Sequence, residues 1–281
     1  MNNINIRDAL KEMYARKEII LSFNLFNNAS INGVIRAAKK VNRPVILGIT
    51  ETDLAHYGLE ELAAVVRIKS DRAGVNAALH LDHGTSLEIA VRCIRAGFAS
   101  VMIDPSQIRQ DRRVHVVREV LDIARAVDVM VESMVGQLKL ALDVKGEGGS
   151  VEQLTEPDEA AGFVRETGID ILAVSVGTEH GSAIAGKQAM IDMPRLRAIA
   201  EKVPIPLVVH GGSGVPEAQL RELKNCNVGK MNIGGAIRVA YKNAIMKALT
   251  ENPRMDMNEA DAIGEEAIYL AALEKMRILS C

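Results

Sequence analysis

The stretch AALHLDHG at residues 77–84 begins as a short apolar run and ends in a carboxylate, a histidine and a glycine. Seven other short apolar runs along the chain share this plan, each with a polar residue at or just beyond its C-terminal end. None alternates strictly between apolar and polar residues, as expected for strands that are buried on both faces. The eight predicted strands are 18–23, 44–49, 77–81, 100–103, 127–131, 171–176, 206–209 and 230–233.

Each predicted strand is followed by a stretch with helical periodicity. A strand and then a helix, repeated eight times, predicts an α/β protein with a (β/α)8 (TIM) barrel. A doubly wound open sheet is the competing architecture, but the count of eight and the polar residues after the strands favour the barrel. The predicted helices are 30–41, 59–71, 86–96, 113–126, 157–167, 194–202, 217–224 and 235–249.

Two further helices flank this pattern. Residues 6–17 are predicted as an extra N-terminal helix that closes the barrel floor, and 259–279 as a C-terminal helical extension that contacts a partner subunit. The 281 residues, 48% of them hydrophobic, suffice for one large core, so a single domain over 1–281 is predicted.

The overall composition narrows the class of protein. A net charge of −2 and 3% aromatic residues disfavour nucleic acid as a partner. No apolar run approaches the roughly 20 residues that span a bilayer, and the N-terminus has no apolar signal region. Three cysteines do not suggest a disulfide framework and fit a reducing compartment. These features predict a cytoplasmic protein with neither a nucleic-acid nor a membrane partner.

Three histidines follow different predicted strands. They are His83 in HLDHG, His180 in GTEHG and His210 in VVHGGSG, and each precedes a glycine that lets the backbone turn sharply. The C-terminal ends of barrel strands meet at one rim, where the active sites of such barrels lie. Three neutral imidazoles with an open fourth position form a catalytic zinc site. The sequence therefore predicts a metal site at this rim.

Carboxylates and amides surround these positions. Asp82 adjoins a predicted ligand and can either move protons to and from a metal-bound group or orient a histidine. Glu132, near the end of the fifth run, has the same two interpretations, whereas Asp104 is interpreted as a turn or helix-capping residue. Asn24 and Asn232 follow the first and eighth runs, where neutral amides can bind hydroxyls or carbonyls of a small polar substrate.

A glycine-rich loop, GGSG at 211–214, follows the seventh run. Barrels often bind phosphate with the loops after strands seven and eight, and the exposed amides of Gly211 and Gly212 beside Ser213 suit that role. The alternative is a tight turn before Pro216. Residues 136–156 form the longest stretch without a clear element, which is typical of a lid.

The motifs together resemble the class II, zinc-dependent ketose-bisphosphate aldolases, the fructose- and tagatose-bisphosphate aldolase family. The resemblance covers nearly the whole chain and includes FNLFN at 23–27, HLDHG at 80–84, GTEHG at 177–181, HGGSG at 210–214 and KMNIG at 230–234. It implies a TIM barrel with one Zn²⁺ per subunit on the three histidines, and an oligomer, here expected to be a homodimer or homotetramer.

The resemblance also implies roles for individual residues. Asp82 would be the catalytic acid/base, and the reaction would be reversible aldol cleavage of a ketose through a zinc-bound enediolate. A phosphate, and in many members a monovalent cation such as Na⁺ or K⁺, would bind near the glycine loops. The implied substrate- and phosphate-binding residues are Asn24, Thr50, Gly181, Gly211, Ser213, Asn232, Gly234 and Gly235.

Departures from the family pattern cluster at the phosphate end and the lid. Met134 replaces a Glu that can approach the metal, and Gly235 replaces a phosphate-binding Thr. The family's loop Glu falls on Leu142, which leaves Asp143 and Glu147 as candidate loop acids. We therefore expect aldol chemistry on a sugar or sugar phosphate other than fructose 1,6-bisphosphate.

Three other functions are considered. A noncatalytic barrel or partner subunit could retain the zinc site, and an epimerase or isomerase could use the same enediolate chemistry without breaking a carbon–carbon bond. A metal-dependent hydrolase is disfavoured because the first strand, FNLFN, offers no histidine pair.

Overall fold

The computed structural model describes residues 6–137, 139–140 and 153–279. Eight parallel strands close into a barrel in the order β1-β10-β9-β7-β5-β4-β3-β2, which confirms the predicted (β/α)8 fold. A separate two-stranded sheet, β6 with β8, lies on the C-terminal side of the strands. The strands are β1 (Ile20–Asn24), β2 (Val45–Thr50), β3 (Ala77–Gly84), β4 (Ser100–Ile103), β5 (Met130–Val135), β6 (Lys139–Leu140), β7 (Ile171–Val174), β8 (Glu179–His180), β9 (Leu207–Val209) and β10 (Val228–Ile233).

Helices surround the barrel, and none in the described part of the chain is long and apolar enough to cross a membrane. The sequence did not predict α3, a single turn capped by the Thr50 hydroxyl, which accepts a hydrogen bond from the Asp53 amide. The helices are α1 (Ile6–Ala15), α2 (Asn28–Val41), α3 (Glu51–Leu54), α4 (Leu59–Ala73), α5 (Leu87–Ala96), α6 (Arg113–Arg125), α7 (Pro157–Thr167), α8 (Met193–Lys202), α9 (Glu217–Glu222), α10 (Gly235–Glu251) and α11 (Met257–Ile278).

The core has two parts. One joins the outer faces of the strands to the surrounding helices, and the other fills the barrel interior. The buried residues of α1 belong to the interior cluster, and Arg7 of α1 forms an ion pair with Asp170 just before β7. Helix α1 therefore covers the N-terminal end of the barrel, as predicted. Its residues in that cluster are Ile6, Leu10 and Met13.

The predicted position of the fifth strand was wrong. The strand runs over Met130–Val135 rather than 127–131. Asp128 adopts a left-handed backbone (φ 56°) and Val127 is 58% exposed, so both belong to the turn after α6. The apolar run continued through this turn and concealed the start of the strand. Glu132 consequently lies in the middle of β5, where it is fully buried, and not at the end.

Helix α11 packs against α2 and α10 of the same chain. One close contact is at Gly33 of α2, where a Cβ atom would lie 2.7 Å from Ile268 Cγ2 and 3.0 Å from the Glu265 carbonyl oxygen. Ile268 itself is fully buried. Glycine at position 33 thus lets the two helices approach.

We predict that Gly33→Ala lowers the free energy of unfolding by about 1–3 kcal/mol, because the added methyl overpacks this contact. Gly162→Ala in α7 is the matched control, since its Cβ would meet only Arg165 Nη2, at 3.8 Å. Removing a helical glycine without a clash stabilises a helix by roughly 0.5–1 kcal/mol. Urea unfolding measures both variants, and equal effects on the two would contradict the packing argument.

Candidate active site

The three predicted histidines converge at the C-terminal rim of the barrel. His83 Nε2 lies 3.1 Å from His180 Nε2 and 3.2 Å from His210 Nδ1. One nitrogen from each ring falls within 4.8 Å of the others. Zinc with Zn–N bonds of about 2.0–2.1 Å in tetrahedral geometry separates its ligand nitrogens by roughly 3.3 Å. Both distances from His83 Nε2 match that geometry.

Backbone strain helps to aim His83. Its backbone is left-handed, with φ 53°, and it lies within the register shift between Leu81 and Gly84 in the pairing of β3 with β4. At Gly84 a Cβ atom would lie 2.6 Å from Leu81 Cδ2 and 2.8 Å from the Met102 carbonyl oxygen. A side chain at position 84 would therefore displace the turn, which explains why glycine follows this histidine.

Two carboxylates orient the rings from outside the cluster. Asp104 Oδ2 lies 2.6 Å from His83 Nδ1, and Glu132 Oε1 lies 2.9 Å from His210 Nε2. An ionised carboxylate accepts the N–H of a neutral imidazole and leaves the other nitrogen free for a metal. Asp104 also caps a 3₁₀ turn through the Ser106 amide, so the predicted capping role is only part of what it does.

These two carboxylates are ionised. Burial raises the pKa of Asp104, but the hydrogen bond and charge of His83 outweigh it and lower the pKa to about 2. Burial likewise opposes ionisation of Glu132, but the charge of Lys230 and the hydrogen bond from His210 lower its pKa to about 2. Both groups can therefore act only as hydrogen-bond acceptors near neutral pH.

The donor set fits a metal cation. Burial, followed by repulsion from His83 and His210, lowers the pKa of His180 to about 3. Burial opposes protonation of His83 as well, but Asp82 and Asp104 raise its pKa. The three ring nitrogens face one another, and hydrogen bonds cannot satisfy all of them at once. A divalent cation would satisfy the three lone pairs together.

Asp82 lies beside the cluster, fixed by two amides. Asn24 Nδ2 donates to its Oδ2 at 2.6 Å, and Asn232 Nδ2 donates to its Oδ1 at 3.1 Å. Burial would raise the pKa of this carboxyl, but the nearby His83 and His210 rings and the Lys230 ammonium lower it. Asn232 Oδ1 is buried without a hydrogen-bond partner in the described structure. It can therefore accept a hydrogen bond from a ligand hydroxyl.

A cavity of about 740 Å³ opens above the cluster. It brings together nearly all of the residues predicted from the sequence. His210 and Glu132 lie beneath its floor, whereas Asp143 and Glu147 lie outside the described residues. The predicted residues that line it are Asn24, Thr50, Asp82, His83, His180, Gly181, Gly211, Ser213, Asn232, Gly234 and Gly235.

One end of the cavity is suited to an anion. Gly235 begins the 17-residue helix α10, whose first amides are free to donate. The loops that carry Gly211 and Ser213 line the same cavity. Ser182 lines it as well, and its Oγ is buried without a hydrogen-bond partner in the described structure. Within the described part of the chain, amides and hydroxyls form this end.

Arg238 lines the same cavity, but another group already binds its guanidinium. Nη2 lies 2.5 Å from Asp53 Oδ2, and the group stacks over the Phe26 ring at 4.7 Å. Among the described residues that line the cavity, Arg238 is the only lysine or arginine. The described lining of the cavity therefore offers an anion little positive charge besides Arg238.

A (β/α)8 barrel with three histidines and an aspartate at its C-terminal rim has the architecture of a metal-dependent barrel enzyme. The sequence model of the family described as fructose-bisphosphate aldolase class-II matches residues 4–281. The chain belongs to this family and is an aldolase.

Solved structures agree with this assignment. The YdjI aldolase from Escherichia coli K12 is 26% identical, with a TM-score of 0.82 over 98% of this chain and 96% of that chain. The fructose-bisphosphate aldolase from Campylobacter jejuni is 21% identical, with a TM-score of 0.78 over 98% of this chain and 94% of that one, and supports the fold alone. At these identities the chain is a divergent member of the family.

We predict that Asp104→Ala weakens zinc binding by about 10–100-fold, because His83 loses the acceptor that fixes its ring. Asp104→Asn retains an acceptor oxygen and should weaken binding less. Competition with a fluorescent chelator measures the affinity. Asp111→Asn, at an exposed residue paired with Arg109, is the control. Wild-type affinity in Asp104→Ala would contradict the proposed orientation of His83.

Proposed function

We propose that the protein is a zinc-dependent aldolase that reversibly cleaves a ketose or ketose phosphate other than fructose 1,6-bisphosphate. The observation that carries this proposal is the Asp82 carboxylate, fixed by two amides beside three convergent histidines. Membership of the class II aldolase family supports the reaction type.

The zinc would be held by His83, His180 and His210, and when bound it would supply a Lewis acid for the ketone carbonyl. Asp82 accepts the proton from the hydroxyl on the carbon beyond the bond that breaks. That carbon becomes an aldehyde, and the electron pair of the broken bond moves onto the ketone fragment. Asn24 and Asn232 hold the carboxylate in place, and Asn232 Oδ1 accepts a hydrogen bond from a substrate hydroxyl.

We infer that the substrate carries at most one phosphate. The amides at the start of α10, with Ser182 and Ser213, can bind one anion. Elsewhere the cavity lining includes carboxylates such as Glu51, whose Oε2 already accepts a hydrogen bond from the Thr85 hydroxyl at 2.8 Å. Among the described residues that line the cavity, Arg238 is the only counter-charge that a second phosphate would meet beside these carboxylates.

The phosphate end is also narrowed by apolar side chains. A Cβ at Gly235 would lie 3.2 Å from Ala183 Cβ and 3.6 Å from Ile184 Cγ1. The loop after His180 therefore occupies much of the room that a threonine at 235 would need. Met134 gives the cavity a further apolar wall in place of a carboxylate.

The remaining expectations rest on the family resemblance and on composition. We propose a homodimer or homotetramer, a Na⁺ or K⁺ ion near Gly181, Gly211 and Ser213, and a cytoplasmic location.

Asp82→Asn should lower kcat for aldol cleavage by about 10²–10⁴-fold, because the amide cannot accept the hydroxyl proton. Zinc content, measured in the same samples by mass spectrometry, should stay at wild-type level. The assay couples release of the aldehyde to its reduction. A wild-type kcat in Asp82→Asn would exclude Asp82 as the base. If the wild-type protein exchanges solvent deuterium into the ketose without releasing an aldehyde, it is instead an epimerase or isomerase.

A panel of ketoses, ketose 1-phosphates and ketose bisphosphates tests the substrate class. We expect kcat/KM for the best monophosphate or unphosphorylated ketose to exceed that for fructose 1,6-bisphosphate by at least about 100-fold, roughly 2.7 kcal/mol of transition-state binding. Treatment with a chelator should abolish activity, and zinc should restore it. A preference for the bisphosphate would contradict the single-anion cavity.

A further inference from the structure

Four polar side chains form a buried network beneath the cavity. They belong to Lys230, Glu132, His80 and Ser100, and each is 0% exposed. We propose that Lys230 is a positioning residue that acts through Glu132 to hold the His210 ring with Nδ1 directed at the metal. This proposal rests on the zinc-dependent function above, but it assigns a role to a residue that touches neither the metal ligands nor the cavity.

Glu132 bridges the lysine and the histidine. Lys230 Nζ lies 2.6 Å from Glu132 Oε2, while Glu132 Oε1 lies 2.9 Å from His210 Nε2. The carboxylate that accepts from Lys230 is ionised and has no hydrogen to donate. It must therefore accept the N–H of His210. His210 Nδ1 is then the nitrogen that faces His83, at 3.2 Å.

His80 completes the arrangement as a neutral partner of the lysine. Lys230 Nζ lies 3.1 Å from His80 Nε2, and an ammonium has donors but no acceptor, so Nε2 must accept. His80 Nδ1 therefore carries the ring hydrogen and donates to Ser100 Oγ at 2.7 Å. Lys230 is thus held by two acceptors, of which only Glu132 carries a charge.

The position of Lys230 excludes a direct role in the chemistry. Its side chain is fully buried, and it is not among the residues that line the cavity. It therefore cannot reach a substrate carbonyl to form a Schiff base. Of its two hydrogen-bond partners, Glu132 is the one that contacts His210, and Glu132 would be an uncompensated buried charge without Lys230.

The test is the zinc affinity of a double-mutant cycle, with zinc ion and a competing chelator as the probes. Glu132→Gln and Lys230→Met should each weaken binding by at least about 10-fold. The double variant should bind zinc no more weakly than Glu132→Gln alone, because Lys230 acts through Glu132. Lys242→Met, at an exposed lysine of α10, is the control and should bind as wild type does.

A purely structural lysine would give a different pattern. It would lower the melting temperature while leaving the zinc affinity of the folded protein within 2-fold of wild type, and that result would overturn the proposal. Additive losses in the double variant would do the same. If Lys230→Met does not fold, the zinc affinity of the double variant, in which both side chains are uncharged, can still be compared with that of Glu132→Gln.

The His210 tautomer supplies a second readout. Long-range ¹H–¹⁵N spectra of the zinc-loaded protein should show a metal at Nδ1 and a hydrogen at Nε2 of His210, with exchange-broadened or shifted signals in Lys230→Met. Unchanged His210 signals in that variant would contradict the proposal. A wild-type protein that binds no zinc would instead overturn the proposed function, so the two failures are distinguishable.

Discussion

Closure of eight parallel strands into a barrel is the constraint on which the rest of the molecule depends. Alternate residues of each strand must point into a space with no solvent, and the interior-facing set changes character along the barrel axis. Near the N-terminal end it is apolar, with Ile20, Ile46 and Val208 packed on α1. Two or four residues further along the same strands, the residues that face the interior are polar. The chain therefore builds an apolar plug beneath a polar layer.

This polar layer is stable because its charges are paired. Moving a charge from water into a protein interior costs several kcal/mol unless a partner and further hydrogen bonds compensate for it. Here Lys230 compensates for Glu132, Glu132 holds His210, and Asp104 holds His83 from the neighbouring strand. The histidine cluster thus rests on a rigid base, and rigidity of this kind is what a metal site requires.

Under the proposed function, the cavity above that base is where the barrel would accept a substrate other than fructose 1,6-bisphosphate. Asp82 and its two amides come from three strands, β3, β1 and β10, and are fixed by the barrel. The groups that meet the ends of a substrate come from loops and helix starts, which can change without disturbing the strands. Ile184 and Gly235 lie in such segments, and Gly235 is one of the positions at which the sequence departs from the family pattern.

The sequence determined the barrel, the three histidines and the Asp82 position, because strand ends and glycine turns leave local signals. It did not reveal that Asp104 orients His83 or that Lys230 pairs with Glu132. Lys230 lies two residues before Asn232, and Glu132 lies two residues after Met130, so strand alternation could have placed both on the inner face of the barrel. Those contacts join residues 21 and 98 positions apart. Their partners depend on strand register, which only closure of the barrel sets, so the tertiary structure alone decided them.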